Sequence, residues 1–212
     1  MTLEMILGPM FCGKTEELIR RVEREKVVEK KVIAFKPSID TRYSRDYIKS
    51  HTGAKLQAIP IDHASKIFWH LNRNPNVQVI ALDEIQFFDE EIITLCEEYA
   101  NSTKMEIIAS GLNLDFRREP FKFKDSKKHI GEIMPLAHIT NLRAKCTYKM
   151  ENHEICDKGA DYTQRLVNGK PANYDDPLIL VGASQDYEAR CLKHHFIEGR
   201  DRIHVHYWKS SK

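Results

Sequence analysis

Residues Gly8-Pro9-Met10-Phe11-Cys12-Gly13-Lys14-Thr15 spell the phosphate-binding loop pattern G-x-x-x-x-G-K-S/T, and the residues on either side of it constrain the fold. Leu3 to Leu7 reads as a short buried strand. Glu16 to Glu29 reads as a helix with Leu18, Ile19, Val22 and Val27 as its apolar positions. A strand feeding a glycine loop that opens into a helix is the setting in which this loop works. Glycine lets backbone N–H groups turn inward around phosphate oxygens, and the helix N-terminus adds partial positive charge. In such a loop Lys14 reaches the outer phosphates and the Thr15 hydroxyl ligates Mg²⁺.

With 212 residues the chain can hold one sizeable α/β domain and a small appendage. Its 33 basic and 31 acidic residues leave a net charge of +2, which argues for neither a nucleic-acid partner nor a membrane surface. No apolar run approaches a bilayer span, and the N-terminus lacks signal-peptide anatomy, so the expectation is a soluble cytoplasmic protein. Five cysteines is an odd number. Cys12 lies in the loop and Cys96 in a helix pattern, while Cys146, Cys156 and Cys191 fall late, where a metal explains them better than disulfides.

Up to residue 142 strand and helix patterns alternate. Further strands are expected at Lys31–Phe35, Val77–Leu82 and Met105–Ala109, and helices at 64–72 and 89–102. Asp89 is placed to cap the last of these, with Ile92, Ile93, Leu95 and Cys96 on its buried side. Short apolar strands alternating with helices imply a parallel sheet covered on both faces. The charged stretch 122–132 reads as exposed. After residue 142 the apolar periodicity weakens and turn residues cluster. The division expected is a core over 1–142, a small lobe over 143–197 and a tail over 198–212.

The strand at Val77–Leu82 ends in Asp83-Glu84. Ligands of open α/β sheets bind at the carboxyl ends of strands, and two carboxylates there are costly unless they face that crevice. Asp83 is the carboxylate for Mg²⁺, directly or through water. Glu84, pointing to the other side, can act as general base toward whatever attacks the γ-phosphate, water or a substrate hydroxyl.

Five blocks in order resemble the thymidine kinase family of animal cytosol and many bacteria. They are Gly-Pro-Met-Phe-x-Gly-Lys-Thr at 8–15, Lys36-Pro37-x-x-Asp40-x-Arg42-Tyr43-Ser44, Asp83-Glu84-x-Gln86-Phe87-Phe88, and Gly111-Leu112-x-x-Asp115-Phe116-Arg117-x-x-Pro120-Phe121. The fifth begins at Thr163-Gln164-Arg165-Leu166 and runs through Val181-Gly182-Ala183-Ser184 to Tyr187-Glu188. The resemblance implies an α/β fold of P-loop, RecA-like type, a parallel sheet with helices on both faces. It also implies a small zinc-ribbon-like lobe with a loop that closes over the substrate. The implied reaction gives ADP and dTMP from ATP and thymidine, with deoxyuridine as a second acceptor. Glu84 falls on the family's base, Arg42 on its phosphate-side arginine, oriented by Asp40, and Gln86 on the ATP/Mg²⁺ side with residues 8–15. Met10, Leu112, Phe116, Thr163, Val181 and Tyr187 fall on the thymine pocket. A homotetramer inhibited by dTTP is implied as well. The chain departs from the family pattern at Cys12, usually a small residue, at Asn113, usually Asp, and in the more basic stretch 122–132.

Cys191-Leu192-Lys193-His194 has the spacing of a zinc half-site. The matching half reads Cys146-Thr147-Tyr148-Lys149, and lysine is a poor ligand at neutral pH. The resemblance places the family's second cysteine seven residues before Thr163, which is Cys156, and so implies an insertion between Cys146 and Cys156. The expected structural Zn²⁺ set is Cys146, Cys156, Cys191 and His194, with His153 and His195 as alternatives.

Overall fold

The computed structural model describes residues 3–40, 46–100, 105–178 and 185–200. In chain order it contains β1 (Leu3–Leu7), α1 (Lys14–Val27), β2 (Val32–Pro37), β3 (Tyr47–Lys49), β4 (Lys55–Gln57), β5 (Ile59–Ile61), α2 (Ser65–Arg73), β6 (Val79–Leu82), α3 (Glu91–Ala100), β7 (Glu106–Gly111) and β8 (His138–Asn141). A six-stranded, wholly parallel sheet runs β5-β2-β6-β7-β1-β8.

Alternation along each strand divides the core in two. Leu3, Met5 and Leu7 of β1, Ile80 and Leu82 of β6 and Ile107 and Ala109 of β7 face α2 and α3, which bring Ile67, Leu71, Ile92, Leu95 and Cys96. Ile6, Val79, Ala81 and Ile108 face the other way and meet Leu18, Ile19 and Val22 of α1, with Ile48 and Leu56 from the β3–β4 hairpin. Truncating Leu18, fully buried in this second layer, costs about 2–5 kcal/mol by the usual core arithmetic. Asp89 caps α3 as expected, its Oδ1 accepting the Glu91 N–H at 3.2 Å, and it also receives the Ala64 N–H at the head of α2.

Three readings of the sequence are corrected. Val27 is 82% exposed: it is the last residue of α1, whose buried apolar side ends with Leu18, Ile19 and Val22. Strands β5 and β8 escaped the pattern. Three residues containing Pro60 give β5 no periodicity, and proline is tolerated there because β5 is an edge strand. β8, the other edge, carries the polar residues His138, Thr140 and Asn141. The charged side chains of 122–132 are exposed as expected, but Phe123 and Ile130 pin that stretch to the core.

The later residues form β9 (Ala144–Lys145), β10 (Gly159–Ala160), β11 (Tyr162–Val167), β12 (Lys170–Pro171) and β13 (Gln185–Arg190). β9 pairs with β10, and β12-β11-β13 make an antiparallel sheet. A buried cluster here consists of Ala144, Ala160, Ala189, Cys146, Cys156 and Cys191. Three alanines bury too little apolar area to order such a segment, so the cysteines must contribute in another way.

Candidate active site

The phosphate loop leaves the carboxyl end of β1 and ends at Gly13, whose φ of 85° suits glycine and which caps α1 with no side-chain hydrogen bond. The first-turn N–H groups of α1 are thereby left for solvent or an anion. Lys14 is almost fully buried and folds back across the loop, its Nζ donating to the Pro9 carbonyl at 2.6 Å and lying 3.9 Å from Cys12 Sγ. Burial pushes the Cys12 thiol up despite that nearby cation. Its side chain packs against the alanine–cysteine cluster of the lobe.

Asp83 follows β6 and is 4% exposed. Its Oδ1 accepts from Ser110 Oγ on the adjacent strand β7, and Thr15 Oγ1 lies 3.5 Å away, at the outer limit of a hydrogen bond. Glu84 adopts a left-handed conformation, φ 49° and ψ 48°. Its Oε2 accepts from Gln86 Nε2 at 2.6 Å. Gln86 is fully buried and spends its other end on the Leu112 N–H, 2.9 Å from Oε1. One amide therefore fixes both Glu84 and the start of the 112–121 segment. The approach is close: a Cβ on Gly111 would stand 2.5 Å from Gln86 Oε1, so only glycine fits.

These groups open onto a cavity of about 550 Å³. Met10, Phe11, Gly13, Lys14 and Thr15 line it from the loop, and Asp83 and Glu84 from the end of β6. Leu112, Phe116, Thr163 and Tyr187 line it as well. Of the residues expected at the site, Gly8, Pro9, Cys12 and Gln86 stand behind this surface, and Arg42 and Val181 lie outside the described residues. Met10 N–H donates to Thr163 Oγ1 at 2.9 Å, tying the loop to β11. The Asp115 carboxyl is raised above its ordinary value by burial, although its Oδ1 accepts the Arg117 and Glu119 N–H groups that turn the chain here.

Two residues with no role in the sequence reading belong to this site. Ser110 holds Asp83 from a strand in which it reads as one more core position. Lys36, 2% exposed at the end of β2, lines the cavity and pairs with Asp40 at 3.3 Å. A buried lysine closing an apolar strand was the available signal.

The late cysteines do converge. Cys146 Sγ, Cys156 Sγ, Cys191 Sγ and His194 Nδ1 lie within 4.8 Å of one another. Separations of 3.7 Å (Cys146 to His194), 3.9 Å (Cys156 to Cys191) and 3.6 Å (Cys191 to His194) approach the edges of a tetrahedron with bonds of about 2.0–2.3 Å, roughly 3.3–3.8 Å. Three thiols and an imidazole at tetrahedral spacing suit Zn²⁺. Burial raises the Cys146 thiol. At Cys191 burial is outweighed by the His194 amide and the neighbouring thiols, so the pKa falls toward the thiolate. Residues between Cys146 and Cys156 fold out as a small hairpin, with Cys156 N–H donating to Tyr148 O at 2.9 Å and Met150 N–H to Glu154 O at 2.9 Å. Lys149 is paired in that hairpin with Ile155 and exposed, as is His153. His195 faces away from the cluster, its Nε2–H donating to Thr163 O at 3.1 Å, and burial holds it neutral with a pKa of about 4.

A nucleotide-type loop, paired carboxylates and a four-donor cluster thus lie within one stretch of chain. The family profile described as thymidine kinase matches residues 1–195 of it. The chain belongs to the thymidine kinase family.

Proposed function

We propose that this kinase transfers the γ-phosphoryl group of ATP to the 5′-hydroxyl of thymidine, giving ADP and dTMP, with deoxyuridine as a second acceptor. The observation that carries the reading is one cavity lined by Lys14, Thr15, Asp83 and Glu84 together with Phe116, Thr163 and Tyr187. Glu84 takes the proton of the 5′-hydroxyl as that oxygen bonds to the γ-phosphorus, and the bond to the β–γ bridging oxygen breaks, leaving ADP. Phosphoryl transfer of this kind needs placement and charge stabilisation more than covalent help. Lys14 swings from the Pro9 carbonyl to the outer phosphates, and the loop and α1 amides hold the rest. Thr15 and Asp83 would hold Mg²⁺, which neutralises phosphate charge when bound. Arg42 is assigned the developing charge on the transferred group by resemblance, with Asp40 orienting it. Met10 and Leu112 enclose the thymine methyl, and Phe116 and Tyr187 flank the base, Val181 being assigned there by resemblance. Cys146, Cys156, Cys191 and His194 would hold Zn²⁺, which when bound would order the lobe that carries Thr163 and Tyr187.

The core over 1–142, the lobe over 143–197, the tetramer and inhibition by dTTP form part of this reading. A cytoplasmic site of action belongs to the same reading; among the described residues no helix is long and apolar enough to cross a membrane. The test is ADP release from purified protein with thymidine present, absent, or replaced by single-stranded DNA. Dependence on thymidine alone supports the reading. Release unaffected by thymidine and raised by the DNA overturns it.

A further inference from the structure

Arg165 is fully buried, yet no carboxylate pairs with it among the described residues. Its Nη1 donates to the Pro177 carbonyl at 2.6 Å, while Nε and Nη2 find no acceptor among the described residues. The guanidinium stands over the Phe116 ring at 4.7 Å. Arg117 repeats the arrangement. Its guanidinium lies 5.0 Å from the same ring, and its Nη2 donates to the neighbouring carbonyl, Asp176 O, at 2.6 Å. Two cations thus share one aromatic ring and two consecutive carbonyls. A third tie, Tyr174 OH to Glu119 Oε1 at 2.5 Å, joins the same two segments.

An isolated buried cation is costly, and a fork that touches both a π face and a carbonyl recovers only part of that cost. Packing alone would be served as well by methionine or leucine. The cost makes sense if the guanidinium fixes something whose position matters. Arg165 sits two residues from Thr163 on β11 and directly opposite Tyr187 on β13, so all three share the face of the sheet turned to the cavity. Phe116 stands between Arg165 and that cavity.

We propose that Arg165, with Arg117, clamps Phe116 to the 176–177 backbone and so acts as a positioning residue for the nucleobase. This rests on the thymidine reading of the cavity. Only a planar fork can meet ring and carbonyl together, so lysine replaces it poorly. The clamp touches neither the phosphate loop nor Glu84 and should leave ATP binding alone.

The experiment is initial-rate kinetics on the zinc-loaded full chain carrying Arg165→Met, Arg165→Lys or Arg117→Met, varying thymidine and ATP separately. Arg165→Met should raise KM for thymidine about tenfold, the size of a lost hydrogen bond from a charged donor, with KM for ATP unchanged. Arg165→Lys should recover part of that loss, and Arg117→Met should show a smaller rise on thymidine only. If Arg165→Met is not recovered folded, Arg117→Met decides. Unchanged thymidine KM, or equal rises for both substrates, overturns the clamp. A wild-type protein that does not use thymidine would instead defeat the reading on which the clamp rests.

Discussion

The backbone amide of Met10 donates to the hydroxyl of Thr163 across 2.9 Å, although 153 residues separate the two. The bond joins the loop expected to grip phosphate to the strand expected to line the base pocket. Thr163→Val keeps the shape and removes the acceptor, leaving an N–H unpaired at a cost of about 1–3 kcal/mol. Thymidine KM should rise about tenfold or more, and Thr163→Ser should restore most of it. Steady-state kinetics on the two variants checks this.

Lys14→Ala should abolish most ATP affinity and turnover while the melting temperature holds. In the structure Lys14 Nζ is spent on one carbonyl of its own loop, so little of the fold depends on it. Nucleotide titration followed by thermal melting separates the two effects. Retained affinity and turnover would show that the loop does not serve phosphate.

Cys156→Ala should lower zinc content from about one per chain, because Cys156 supplies one corner of a four-donor set. The lobe would loosen, because the alanines of its buried cluster add little apolar area to hold it. Thymidine binding should then weaken more than ATP binding, since Thr163 and Tyr187 are carried by β11 and β13 of that lobe. Metal analysis with paired titrations measures both, and a variant that keeps its full zinc content would remove Cys156 from the site.

Glu84→Gln should bind both substrates and lose 10²–10⁴-fold in turnover, the range for a missing general base. The amide preserves the shape held by Gln86, whose Nε2 lies 2.6 Å from Glu84 Oε2. Rapid-mixing kinetics with separately measured substrate affinities tells chemistry from binding.

What the sequence disclosed was whatever is written locally. The strand–loop–helix around Gly8–Thr15, the Asp89 cap and the carboxylates after Leu82 depend on neighbours a few residues apart, and the structure has them where expected. Edge strands were hidden because β5 and β8 are short or half polar. Ser110 was hidden because its partner Asp83 is 27 residues away on another strand. The metal cluster lay between these cases. Spacing alone pointed to Lys149, and only the family pattern brought in Cys156. The small hairpin that carries Lys149 outward explains how a longer segment between Cys146 and Cys156 still closes one site.

The most direct test follows the γ-phosphoryl group itself. With γ-labelled ATP and thymidine, the label should appear in dTMP in equal amount to the ADP formed, and neither product should accumulate without thymidine. Label released as inorganic phosphate at the same rate with or without thymidine would contradict the account.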